Sequence, residues 1–282
     1  MTATLRNIVL LAGLGTGGDQ PHEVAPGAVG VGTCLDGGGE VIVSLAAPGG
    51  RRLGVFERDR RTRTDPGYSR WSWWKQERGS PAIRGSRVLL AGEPPGTWDM
   101  VTGATDGGTE ALRHWHSVLG PGARIYSITV ETGAGRRGVW VAWQLDPGVR
   151  IDRALRALGG WSAPAEAAVD TLGGLVPATL ARDRGPWSLA VRADGERVRI
   201  GTARWARWHE DDDKRRRAVA AIGAFGGDAR FAEGAYKLVL ASEANPGRSR
   251  VGRAAEVELA RTSGGELGAP HALELFLAIG RP

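Results

Sequence analysis

Polar and apolar positions alternate on both sides of an Asp-Gly pair in residues 187–205, "WSLAVRADGERVRIGTARW". Alternation of period two around Asp-Gly predicts a β-hairpin with both turn residues at positive φ. The pairing sets Arg192 opposite Arg197, Val191 opposite Val198 and Leu189 opposite Ile200. One face then carries Trp187, Leu189, Val191, Val198, Ile200 and Thr202, a surface suited to packing under helices. The other carries Ser188, Ala190, Arg192, Arg197, Arg199, Gly201, Ala203 and Trp205. Arginines directly opposite each other weaken a ladder unless water or an anion relieves them. The polar face therefore looks at bulk solvent or lines a space that holds a negative ligand.

The same pattern runs along much of the chain. "NIVLLAG" and "AVGVGTC" predict short strands, and "EVIVSLAAPGGRRLGVFERD" a hairpin around Pro48-Gly49-Gly50. Residues 59–82 show no clear period and predict a loop or short helix. "SRVLLAG" predicts a strand, paired with one at "TWDMVTG". "GGTEALRHWHSVLG" predicts a helix from an N-cap at Thr109 to a stop at Gly120. "ARIYSITVE" and "GVWVAWQL" predict strands, "RIDRALRAL" and "APAEAAVDTLGGLVPATLA" helices, and "EDDDKRRRAVAAIGAF" a helix with acids in its first turn. "YKLVLAS" and "VGRAAEVELA" predict a last hairpin, followed by "HALELFLAI" as a helix or strand. The expected fold is α+β: one domain over 1–282, with a β-rich part at 1–107 and a repeated ββαα part at 108–282. Roughly ten antiparallel strands would close into a barrel or a strongly curled sheet, with helices outside.

Composition changes this picture little. The chain has 282 residues, 41% of them hydrophobic, enough for a sizeable core. Net charge is +6 with a sequence pI near 10.2, which permits a phosphate or nucleic-acid partner. The single cysteine, Cys34, excludes internal disulfides and a cysteine-based metal site. The apolar run near the N-terminus is too short to span a bilayer, so a soluble, cytoplasmic protein is expected.

The stretches "ARIYSITVETGAGRRGVWVAWQLDPGVRIDRAL", "WSLAVRADGERVRIGTARW" and "YKLVLASEANPGRSRVGRAAEVELA" carry a resemblance. Their element order over about residues 108–282 resembles the ABBA barrel of soluble aromatic prenyltransferases, in which helix pairs alternate with hairpins around a solvent-filled lumen. Residues 1–107 depart from it, opening with hairpins where that family opens with helices. The resemblance implies transfer of an allylic group from a prenyl diphosphate to an aromatic, peptide or other electron-rich acceptor, with no cofactor indicated. Arg192, Arg197, Arg199 and Lys237 would then converge on the diphosphate, whose charge grows as the C–O bond breaks. Trp140 and Trp205 would wall the prenyl cation. Glu131, on the polar side of its strand with Ser127 and Thr129, would act as base.

Other readings stay open. Arg192 and Arg197 beside a turn are equally at home in water. "YSRWSWWKQER", residues 68–78, interleaves aromatic and basic residues as single-stranded nucleic-acid sites do, although a helix would bury its tryptophans. "HEDDD" at 209–213 offers carboxylates to Mg²⁺, but acids in a first helical turn more often serve capping. "GLGTGG" fits a dinucleotide fingerprint only if a helix follows, and "DQPHEVAPG" does not propagate one. A structural protein whose arginines reflect codon bias is the remaining alternative.

Overall fold

The computed structural model describes residues 3–13, 41–58, 68–77, 80–106, 108–133, 136–175, 187–202, 206–209, 212–242 and 250–279. Among them the helices are α1 (Ala3–Leu11), α2 (Thr97–Ala104), α3 (Glu110–Leu119), α4 (Ile151–Ala157), α5 (Ala163–Leu175), α6 (Asp212–Ala224) and α7 (Ala229–Leu240). The strands are β1 (Val41–Ala47), β2 (Arg52–Arg58), β3 (Tyr68–Glu77), β4 (Ile83–Leu90), β5 (Ala123–Gly133), β6 (Arg136–Leu145), β7 (Trp187–Arg192), β8 (Arg197–Thr202), β9 (Ala206–His209), β10 (Arg250–Arg261) and β11 (Leu267–Ile279).

The strands pair antiparallel in the order β1 to β8, then β10 and β11, and β11 returns to β1. Ten strands thus form a closed barrel with no free edge, which removes the pairing hazard of an open sheet. Strand β9 stands apart from the ring and, among the described residues, pairs with the first residues of β10.

Alternation within each strand divides the side chains between two compartments. Outward-facing Val43, Val55, Ile128, Trp143, Leu189, Ile200 and Leu275 belong to the main core. Apolar faces of the helices cover them: Leu5 and Ile8 of α1, Leu112 of α3, Leu172 of α5 and Tyr236 of α7 are all fully buried. Trp143, fully buried in this layer, donates its indole N–H to Nδ1 of His116 on α3 at 3.1 Å. Burying each large side chain of this layer contributes about 1.5–3 kcal/mol. A smaller cluster, Phe56, Trp71, Trp73, Ala254 and Phe276, lies inside the barrel.

Four expected elements differ. The run "NIVLLAG" is helical in α1, because a short apolar run lacks the period that separates helix from strand. "TWDMVTG" forms α2, and residues 68–77 form strand β3, not a loop or helix. "YKLVLAS" ends α7, whose start is fixed by Asp228, the carboxylate accepting from the N–H of Phe231 at 2.9 Å. The last hairpin is therefore β10–β11, with "HALELFLAI" as a strand. "AVGVGTC", Cys34 and most of "GLGTGG" lie outside the described residues. Thr109 is the α3 N-cap residue but makes no side-chain cap bond.

Candidate active site

The β7–β8 register agrees with expectation: Leu189 meets Ile200 and Val191 meets Val198. Of the turn residues only Gly195 has positive φ, +78°, so a single left-handed residue closes the loop. The polar face of this hairpin looks into the barrel. There Arg199 stands opposite Glu258 of β10 on one side and Ala190 of β7 on the other. From β5, Glu131 faces Gly138 of β6, and Trp140 of β6 sits between Thr129 and Arg192.

These side chains form one buried network. Both terminal nitrogens of Arg199 donate to Oε1 of Glu131 at 3.0 Å, and its Nε donates to Oε2 of Glu258 at 2.9 Å. The guanidinium carbon lies 3.6 Å from the ring centroid of Trp140, a cation stacked on an indole face. Arg197 donates to the other oxygen of Glu258 at 2.7 Å. Arg199 is 8% exposed and Trp140 2%, so the contact is shielded from water and acts at full strength.

Charge pairing repeats around the lumen. Lys75 of β3 donates to Glu274 of β11 at 2.6 Å and lies 4.9 Å from the Trp73 ring centroid. Arg87 of β4 donates to Thr129 at 2.9 Å, approaches Glu256 at 3.8 Å, and lies 5.7 and 5.8 Å from the rings of Phe56 and Phe276. Room for these large groups comes from lumen-facing glycines. Trp73 lies across Gly85, where any Cβ would collide with its ring.

Electrostatics shift four members of the network, Glu131, Glu258, Glu274 and Arg199, each toward its charged form. Burial alone would push the Glu131 carboxyl up. Arg199 and Lys75, with the hydrogen bonds from Arg199, outweigh burial and hold it at about 2. Burial likewise pushes up the carboxyls of Glu258 and Glu274, and Arg199 and Lys75 respectively bring them below the ordinary value. Burial alone would lower the Arg199 pKa, but Glu131, Glu258, Glu256 and Glu274 raise it above its ordinary value.

The network opens toward the hairpin turns into a cavity of about 660 Å³ lined by Glu131, Gly138, Arg137, Arg192, Asp106 and Asp194, among others. Arg192 stands at this mouth and donates to Asp194 at 2.8 Å. Of the residues singled out in the sequence, the structure thus brings Glu131, Trp140, Arg192, Arg197 and Arg199 together. Lys237 does not join them: it stands on the outer helix α7, exposed and paired with Glu233 at 3.1 Å. Its placement followed from reading "YKLVLAS" as a strand. Trp205 lies outside the described residues. Lys75, Arg87, Glu256, Glu258 and Glu274 were not singled out, although the alternation in "AEVELA" places two of these acids on one face.

The competing sites fare differently. Trp71 and Trp73 point into the barrel and Trp74 into the outer core, all buried, so residues 68–77 present no aromatic stripe on which bases could stack. Asp212 and Asp213 open α6 and pair with Arg215, Arg216 and Arg217. Among the described residues no group of three or more His, Cys, Asp or Glu is placed to hold a metal ion, and no helix is long and apolar enough to cross a membrane.

No protein-family model matches the sequence, and no curated protein matches it either. Solved structures match its fold. The 6-dimethylallyltryptophan synthase of Micromonospora olivasterospora, in complex with DMASPP and Trp, is 13% identical, with 99% of this chain and 97% of that one covered at a TM-score of 0.58. The 5-dimethylallyl tryptophan synthase of Streptomyces coelicolor, in complex with the same two molecules, is 14% identical, covers 99% and 95%, and gives a TM-score of 0.61. AnaPT of Neosartorya fischeri is 11% identical, covers 86% and 78%, and gives 0.52. The chain has the ABBA-barrel fold seen in aromatic prenyltransferases, along its whole described length rather than over 108–282 alone.

Proposed function

We propose that the chain transfers an allylic prenyl group from a prenyl diphosphate to an aromatic or other electron-rich acceptor within the barrel. The observation that carries this reading is the buried Glu131–Arg199–Trp140 cluster in a closed barrel of this fold. The diphosphate sits among Arg192, Arg197 and Arg199 at the hairpin-side mouth. Its C–O bond breaks and it leaves with the electron pair, its growing charge met by the guanidinium groups. Trp140 offers an indole face to the allylic cation, as it already does to Arg199; Trp205 is assigned the same part. An acceptor ring carbon attacks the allylic carbon, and the proton that the ring then loses goes to Glu131. A carboxylate with a pKa of about 2 is a weak base. It suffices because a protonated ring is a far stronger acid, and it stays ionised throughout the physiological range.

The test is thermal and chemical. Dimethylallyl or geranyl diphosphate at a hundred times its Kd should stabilise the chain by about 2.7 kcal/mol. Arg199→Ala should abolish that ligand-induced increment, and Lys237→Ala should leave it intact. With an aromatic acceptor present, diphosphate release should accompany a product heavier by the prenyl unit, and Glu131→Gln should slow turnover by about 10²–10⁴ while sparing diphosphate binding. If neither diphosphate raises the melting temperature, the proposal fails.

A further inference from the structure

The inner guanidinium of Arg199 is shared by two carboxylates that hold it differently. Glu258 of β10 is its direct partner across the β8–β10 ladder and is buried. One oxygen of Glu258 accepts from Nε of Arg199 at 2.9 Å and the other from Arg197 at 2.7 Å, so this carboxylate fixes two guanidinium groups at once. Glu131 reaches the same guanidinium from β5, three strands away around the ring. It does so with one oxygen, Oε1, which takes both terminal nitrogens at 3.0 Å. Those two nitrogens are the fork that pairs best with a phosphoryl group.

The surroundings of the two carboxylates differ as well. Glu131 lines the cavity of about 660 Å³ at the hairpin-side mouth, whereas Arg199 and Glu258 are not among the described residues that line it. An anion entering by that mouth therefore meets the Glu131 carboxylate before it meets the guanidinium. Opposite Glu131 in the ladder stands Gly138, where even an added Cβ would stay 3.9 Å from Oε2, so the carboxylate has room to swing aside. Glu258 has less freedom, because leaving Arg199 would also disturb Arg197.

We propose that the two carboxylates play opposite parts: Glu258 is a positioning residue that aims Arg197 and Arg199, and Glu131 is a gate that a diphosphate must displace from Arg199. The gate's link to catalysis rests on the transferase reading; the competition for Arg199 does not. Displacement leaves the guanidinium in place, since Nε stays on Glu258 and the centroid of the Trp140 ring lies 3.6 Å away. It also strips Glu131 of its principal counter-charge, so the carboxyl gains proton affinity only once the donor is bound. The prenyl diphosphate accordingly loads before the acceptor, and its arrival arms the base.

Calorimetric titration of the full chain with inorganic pyrophosphate at neutral pH tests this. An ion pair that must open first weakens apparent affinity by the fraction of molecules in which it is open. Glu131→Gln should therefore do more than spare diphosphate binding; it should tighten pyrophosphate by about fivefold or more. Glu258→Gln removes the same unit of charge from the same guanidinium and should bring no such gain. Glu258→Asp keeps the charge but is too short to span both arginines, and should weaken pyrophosphate by about tenfold. Melting curves show which variants are folded, and Glu131→Gln with Glu258→Asp decides the case if Glu258→Gln is not. No pyrophosphate binding by parent or Glu131→Gln, equal affinity of those two, a matching gain in folded Glu258→Gln, or unchanged affinity in Glu258→Asp overturns the proposal. Prenyl transfer is read separately from these affinities. Its absence alongside the expected affinities would sink the transferase reading and leave the gate standing, whereas transfer by a chain whose Glu131→Gln variant gains no affinity would do the reverse.

Discussion

Replacing Arg199 with methionine probes the centre of the lumen with little change in volume. The substitution deletes three hydrogen bonds, two to Glu131 and one to Glu258, and the cation stacked on Trp140. Glu258 keeps Arg197. Glu131 loses its principal counter-charge, and its side chain, 21% exposed, remains mostly out of water. Breaking a buried pair by removing one partner costs about 3–5 kcal/mol, equivalent to a fall in melting temperature on the order of 10 °C for a chain of this size. The pH dependence gives an independent check. The Glu131 carboxyl is held at about 2 against an ordinary 4.5, which corresponds to about 3 kcal/mol of stability. Because the native value is depressed, that contribution is present above 4.5 and is lost as the pH falls toward 2. In Arg199→Met, burial is no longer outweighed by Arg199, the carboxyl rises, and protonating it relieves the strain. The stability gap between parent and variant is therefore widest near neutral pH and narrows on acidification. Urea denaturation of the parent, Arg199→Met, Glu131→Gln and the double variant at neutral and acidic pH measures this. The double variant should recover about 1–3 kcal/mol over the sum of the singles. A loss below about 1 kcal/mol, or a gap that stays constant with pH, would refute an electrostatically coupled core.

Three further outcomes follow from specific contacts. Gly85→Ala forces a Cβ into the Trp73 ring and the Val130 carbonyl, and should cost about 1–3 kcal/mol by urea denaturation; a neutral result would mean that Trp73 does not lie across β4. Gly195→Ala should cost about 1 kcal/mol, because φ at that turn is +78°, and an unchanged denaturation midpoint would contradict the turn geometry. Lys237→Ala should change stability by less than about 0.5 kcal/mol, since its partner Glu233 is reached across solvent; a larger loss would place the lysine inside the protein.

The barrel was legible where one strand face is polar and the other apolar. In β7 and β8, Val191 and Val198 point to the helices while Arg192 and Arg199 point inward, so period two stands out and gives both register and site. In β3 it is hidden: Trp71 and Trp73 face the lumen and Trp74 faces the helices, so aromatics occupy both faces and the alternation vanishes. In α7 the apolar run "YKLVL" reads as a strand unless the Asp228 cap and the alanines after it are weighed first. The acids that answer the arginines stayed unseen for another reason. Glu258 meets Arg199 only because β10 pairs with β8 across two intervening helices, a register that no local pattern encodes.

The ring is shut by β11, which follows every other strand in sequence and sets Val41 against Ile279. A nascent chain leaving the ribosome therefore carries β1 and β10 as open borders until β11 arrives to join both. Such distant pairing folds in milliseconds to seconds rather than microseconds. Throughout that interval, half-made barrels expose oily outer surfaces and unpaired backbone together, so yield in the cell should depend on chaperone supply and growth temperature more than on the finished protein's stability.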